Sequence, residues 1–275
     1  MIETLGIVDI RKMNGFVSEA FGINLADYAS TILKRRYVHM LNTYNCVSVD
    51  NFEDRIKKGI ITADDVMYEV SLETTELFRD PSAWREMRDK YLPEVCKSGK
   101  CNILMPGESS GDELYSMMIV LSEANLLDKV QVDAYCPSNR NLKQIKDGGL
   151  YDSKKLELGD ANYTRYSGPK TLSNYYTLVD NRAKMQSSLL NGVNLSVRDV
   201  QKNADTKRYK MIVYRNVLLQ YSVPLYERVV KTLVDKLDIG GYLIIGDMET
   251  LEYCDSNRKL VLVDSAEQVY RKKMD

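Results

Sequence analysis

Three stretches hold the side chains whose types and spacing can do chemistry: Thr75-Glu76-Leu77-Phe78-Arg79-Asp80-Pro81, Gly107-Glu108-Ser109-Ser110-Gly111-Asp112-Glu113, and Arg215-Asn216. An arginine such as Arg79 neutralises a ligand carboxylate through a two-pronged contact. Glu113, one turn beyond a small-residue loop, suits an ammonium group. The loop glycines tolerate positive φ and let backbone approach a ligand closely. A helix starting after them adds unpaired N–H groups. The chemistry implied is capture of a ligand bearing both a carboxylate and an ammonium. Metal chemistry finds little support, because the five cysteines are scattered without a C-x-x-C pair. The only histidine, His39, reads as a surface or half-buried helical residue rather than as the base of a nucleophile pair.

The elements that must position these groups follow from periodicity and punctuation. Ile103-Leu104-Met105 before Pro106-Gly107 is a strand entering a tight turn, and Leu114, Met117, Met118, Val120 and Leu121 then recur at roughly helical spacing over 111–126. Val130–Tyr135 is a second strand, 138–147 a helix, and Gly192–Leu195 a short strand. Tyr209–Tyr214 is a buried strand, 223–237 an amphipathic helix, and Gly240-Gly241 a turn into the strand Tyr242–Gly246. Residues 259–263 and 268–270 are close enough to pair as a hairpin, which gives a mostly parallel sheet with one antiparallel strand. Residues 150–190 read as less regular; their tyrosines could form a lid over the sheet, but partial core packing is the favoured reading for most of them. Ahead of the sheet lie only helical patterns, at 5–22, 25–43, 48–56 and 64–72, and then a helix opened by Pro81. The expected domains are a small helical one over 1–72 and a sheet domain over 73–275.

Bulk properties bound the partners. The chain has 275 residues and a formal net charge of −1, which argues against a general nucleic-acid binder. No apolar run reaches the roughly 18–20 residues of a membrane span. With no secretion signal and odd, dispersed cysteines, a reducing cytoplasm is the expected location. Lys34-Arg35-Arg36 crosses the polar face of the second helix and, with Arg55, Lys57 and Lys58, reads as a docking patch for an acidic partner helix or for phosphates or, more plainly, as a solvated face.

Open α/β sheets bind ligands at the carboxyl ends of their strands. Those ends here form a polar crescent able to hold a nucleoside, and a nucleoside carrying a carboxylate and an ammonium is a description of S-adenosylmethionine. The stretch 75–81 resembles the T-x-(F/M)-F-R-(D/E)-P signature of CheR-type chemotaxis receptor methyltransferases. Gly107–Ser116 resembles their G-C-S-(S/T)-G-E-E-x-Y-S loop, Arg215-Asn216-Val217-Leu218 their C-R-N-V-L-I-Y-F, and Gly246–Leu251 their G-x-x-E-(S/T)-L. The resemblance implies a Rossmann-like class I methyltransferase sheet behind a helical N-terminal domain. It implies methyl transfer from S-adenosylmethionine to glutamates on receptor helices, with S-adenosylhomocysteine as product. By position, the cofactor contacts fall on Thr75, Arg79, Gly107, Glu113, Asn194, Leu195, Arg215 and Asn216; the catalytic candidates are Arg79 and, one step beyond the place of the family tyrosine, Tyr221. The protein substrate would be an acidic helical segment docking on Lys34, Arg35 and Arg36.

This chain departs from the pattern at three places. Strand two of the family ends in an acid that holds ribose hydroxyls, whereas Ala134-Tyr135-Cys136-Pro137-Ser138-Asn139 has none. The family tyrosine near the methyl falls on Gln220, with Tyr221 one step on. Glu73 replaces an asparagine two residues before Thr75. Two readings follow: an active, divergent protein-glutamate methyltransferase, or a CheR-like scaffold with impaired catalysis that acts as a binding or regulatory protein. A nucleotide-binding oxidoreductase is disfavoured, since G-x-G-x-x-G is absent.

Overall fold

A computed structural model describes residues 2–71, 76–149, 151–202 and 206–274. The chain divides into two compact units, residues 1–72 with 217–228 and residues 73–216 with 229–275.

The first unit is helical: α1 (Ile7–Phe21), α2 (Ser30–Thr43), α3 (Val49–Lys57) and α4 (Ala63–Val70). Their boundaries follow from local chemistry. The Ser48 hydroxyl accepts the Asn51 N–H to start α3, the Thr62 hydroxyl and Asp65 carboxylate form a reciprocal cap on α4, and Gly22 ends α1 at φ 66°. Met13, Val17, Leu33, Tyr37, Met40, Phe52 and Val66 form the core. Segment 217–228, expected in the sheet domain, belongs to this unit. The Ala29 N–H donates to the Gln220 carbonyl at 2.7 Å and the Ser222 N–H to the Asp27 carbonyl at 2.8 Å. The Tyr221 ring meets Tyr28 edge-on with centroids 5.4 Å apart.

The second unit opens with α5 (Pro81–Glu86), which runs through a π-helical turn, Met87–Tyr91, into α6 (Leu92–Val95). The sheet strands are β1 (Cys101–Met105), β2 (Val130–Cys136), β5 (Val193–Val197), β6 (Tyr209–Val213), β7 (Leu237–Ile244), β8 (Leu260–Asp264) and β9 (Val269–Lys272); β3 (Tyr176–Val179) and β4 (Arg182–Met185) form a separate hairpin. Helices α7 (Asp112–Glu123), α8 (Asn139–Lys146) and α9 (Ser153–Ser167) lie between the strands in sequence, and α10 (Val223–Lys236) leads into β7. The spatial order is β5-β2-β1-β6-β7-β9-β8, parallel throughout except for β9, which runs antiparallel to β7 and β8. This is the Rossmann-like class I methyltransferase sheet. Successive strands step outward from β1 on one side and from β6 on the other, so the ends of β1 and β6 flank the switch point where such sheets take ligands.

Two expectations need correction. Residues 150–190 are not irregular: α9 spans fifteen of them, opened by an Asp152 side chain that accepts the Lys155 N–H. Its inward face, Gly159, Asn162, Tyr163 and Tyr166, carries no aliphatic stripe, so periodicity misses it. The tyrosines are core rather than lid. Phe78 stacks on Tyr166 at 4.8 Å and meets Tyr163 and Trp84 edge-on. Gly240 and Gly241 lie inside β7, at a register shift against β6, not in a turn before it. A Cβ on Gly241 would stand 2.9 Å from the Lys210 carbonyl oxygen, so only glycine allows that approach.

Candidate active site

The site is built from the ends of β1, β6 and β7 and from the turn before α5. That turn, 77–80, is held at every residue. The Asn162 amide donates to the Leu77 carbonyl at 3.2 Å, and the Phe78 N–H donates to the Ser116 hydroxyl at 2.9 Å. The Trp84 indole N–H donates to the Arg79 carbonyl at 2.8 Å. Phe78 and Asp80 both have positive φ, 52° and 53°. Two non-glycine residues in this region of the map cost about 1–2 kcal/mol each, and the surrounding bonds sustain them. The consequence is that Arg79 is presented on a fixed turn with its side chain about one quarter exposed.

Arg215, beyond the end of β6, is 1% exposed. One terminal nitrogen donates to the Arg79 carbonyl and to the Glu113 carboxylate, both at 3.2 Å; the other donates to the Asp80 carboxylate at 2.6 Å. The guanidinium sits 5.5 Å from the Trp84 ring. Both terminal nitrogens therefore hold the protein together, and only Nε lacks a partner among the described residues. Arg215 braces Arg79 and Glu113, which leaves the Arg79 side chain better placed for a ligand carboxylate.

Glu113 is buried in the first turn of α7. Burial pushes its carboxyl up to about 7; Arg215 pulls the other way, and Glu249 adds to the rise. Glu108 and Asp112 are also buried and also raised, chiefly by burial. Glu108 accepts the Leu114 N–H at 3.3 Å, and Asp112 pairs with Lys155 at 2.9 Å. Gly107 lies in the turn straight after β1. Gly111 has φ 88°, and a Cβ there would stand 3.0 Å from Ile145, so this position needs glycine.

Asn216 completes the arrangement. It has φ 59° and is 4% exposed, and neither atom of its side-chain amide has a hydrogen-bond partner among the described residues. A buried amide with an unmet donor and acceptor is costly and marks a place where a ligand completes the bonding. Arg79, Glu113 and the Asn216 amide are the groups here that could hold the carboxylate, the ammonium and a polar atom of such a ligand.

Of the other expected residues, the structure places Asn194 and Leu195 elsewhere on the sheet. Thr75 and Glu73 lie outside the described residues. Asn194 is exposed in mid-strand on β5, opposite Asp133, to whose carboxylate it donates at 3.4 Å; Leu195 is opposite Ala134. Both stand short of the carboxyl end of their strand. Tyr221 is part of the helical unit. At the end of β2, the Ser138 hydroxyl is engaged by Asn141, accepting its backbone N–H at 3.1 Å and donating to its side-chain oxygen at 2.5 Å. Sequence reasoning quoted Glu249 only within a motif. Its signal was present: the acid stands three residues after Gly246, at the end of a strand.

The fold and this cluster define a class I methyltransferase. The CheR methyltransferase, SAM binding domain, family matches residues 73–268, and the chain belongs to that family. Putative methyltransferase Cher3 of Pseudomonas putida is 23% identical over 96% of this chain and 97% of its own length. The chemotaxis protein methyltransferase of Vibrio parahaemolyticus is 25% identical over 90% of this chain and 91% of its own. Among solved structures, the N-methyltransferase NodS of Bradyrhizobium japonicum is 14% identical over 71% of this chain and 99% of its own, with a TM-score of 0.38. Among the described residues no helix is long and apolar enough to cross a membrane.

Proposed function

We propose that this protein is a CheR-type methyltransferase that esterifies glutamate carboxylates of a chemoreceptor-like signalling protein, with S-adenosylmethionine as donor and S-adenosylhomocysteine as product. The observation that carries the reading is the unpaired, buried Asn216 amide beside the braced Arg79 and Glu113 at the strand ends. When bound, the cofactor supplies an activated methyl group. The chain's own part is to bind and orient. Arg79 takes a carboxylate, ionised Glu113 takes an ammonium, and the Gly107–Gly111 loop lets backbone lie against the ligand. An acceptor glutamate is already ionised at neutral pH and needs no base, so positioning and exclusion of water supply most of the rate.

The residues 73–268 act in this reading as the methyltransferase domain, and the helical unit receives the substrate. Lys34 and Arg35 are exposed on α2, with Arg36 half-buried beside them, and match an acidic receptor helix. Such a substrate places the reaction in the cytoplasm. The competing reading, a binding scaffold with impaired catalysis, draws on the end of β2, where Cys136 and Ser138 replace the ribose-holding acid. Calorimetric titration with S-adenosylhomocysteine and S-adenosylmethionine decides between them. Micromolar binding, followed by base-labile methyl transfer to a receptor signalling domain, is expected; no binding at millimolar ligand would leave the scaffold.

A further inference from the structure

We propose that Glu249 is the positioning residue of the cofactor cradle, a role that rests on the methyltransferase reading above. One of its carboxylate oxygens accepts the Asn216 N–H at 2.9 Å and the Gly246 N–H at 2.7 Å, joining the ends of β6 and β7. Glu249 itself is buried. Asn216 has a left-handed backbone, a conformation that asparagine tolerates but does not prefer. The charge-assisted bond to its N–H holds it there. The side chain of Asn216 is then fixed against the neighbouring strand end. A Cβ on Gly246 would lie 2.5 Å from Asn216 Oδ1 and 2.9 Å from its backbone nitrogen, so the amide rests on bare glycine backbone.

These three residues make one device. Glycine clears the space, the left-handed turn aims the amide, and the carboxylate fixes both backbones. Because the Asn216 amide has no partner among the described residues, its direction is set by its backbone rather than by its own hydrogen bonds. Glu249 therefore acts on the ligand through Asn216. Free carboxylate rotation is removed as well, because two N–H groups converge on one oxygen.

The test is S-adenosylhomocysteine affinity by calorimetry for the full-length protein, Glu249→Ala, Asn216→Ala and the double variant, with thermal unfolding recorded for each. Losing the aim of the amide in Glu249→Ala, or the amide itself in Asn216→Ala, should weaken binding by about 30-fold in either single variant. The double variant should lose no more than the worse single one, since the two residues work as a unit. Glu249→Gln, whose carbonyl oxygen still accepts both N–H groups, should restore most of the affinity. If Glu249→Ala does not fold, Glu249→Asp reads the same loss, its carboxylate being one methylene too short. Native protein that binds S-adenosylhomocysteine while the Glu249 variants bind within twofold of it, or a double variant with fully additive losses, would overturn the proposal and spare the methyltransferase reading. Native protein that does not bind at all would remove both.

Discussion

The two ends of the polar crescent differ in how their polar groups are spent. At the ends of β1, β6 and β7, buried acids and arginines are braced against each other, while the Asn216 amide and Arg215 Nε are left without partners among the described residues. At the end of β2, the polar groups are consumed internally. Ser138 caps α8 and bonds Asn141, and the Cys136 thiol points to the Ser138 and Ser196 carbonyls at 3.6 and 3.5 Å. One end keeps buried polar atoms without partners among the described residues; the other is closed local structure. On the reading proposed above, the first end would take the charged part of the cofactor, and the second lacks the acid that the family pattern places there for the ribose.

The largest expected effect comes from breaking the braced end. Arg215→Met leaves Glu113 and Asp80 without their buried cation and should cost about 3–5 kcal/mol of stability, measured by urea unfolding. Next is pH. The Glu113 carboxyl is raised from 4.5 to about 7 in the fold, so its stabilisation is complete below the unfolded value and is lost as pH rises through about 7. Unfolding free energy of the ligand-free protein should therefore fall by about 3 kcal/mol across that window, and Glu113→Gln should flatten the slope. Arg79→Ala should weaken S-adenosylhomocysteine by about 10–100-fold in calorimetry. The Arg79 guanidinium also pairs with Asp80 at 3.8 Å, a part-exposed contact worth little, so the unfolding midpoint should move far less than for Arg215→Met. Unchanged binding would remove Arg79 from the site. The smallest effect sharpens the contrast. Ser138→Asp keeps a good N-cap and returns a carboxylate to the end of β2, which should tighten S-adenosylhomocysteine by about tenfold.

Much of the scaffold was legible because local chemistry fixed it. Ser48, Thr62 and Pro81 stand where caps and first turns need them, and the strands around β1 and β6 are short apolar runs bounded by glycine or polar residues. Arg79, Glu113 and Asn216 were singled out by their motifs, and the fold places Glu113 and Asn216 buried and Arg79 on a fixed turn near Arg215. What was not legible is how those residues are spent. Arg215 was read as a cofactor contact; the folded sheet adds what sequence could not show, that its terminal nitrogens bond Asp80 and Glu113, more than a hundred positions away. Asn194 was placed in the site by motif, but the register of β5 against β2 sets it opposite Asp133, short of the strand end. Helix α9 was missed because it buries glycine, asparagine and tyrosine instead of an aliphatic stripe.

The return of residues 217–228 to the helical unit makes that unit a discontinuous module. The bridge between Tyr28 and Tyr221, and the ion pair between Arg228 and Asp27, join pieces encoded about two hundred codons apart. A recombination event that exchanges only the first 72 residues between relatives thus carries half of a fitted interface, and mismatched halves lose their backbone pairing. Substrate preference, if it lives in this unit, moves between lineages as a two-piece graft, or by point changes that arise together in both pieces.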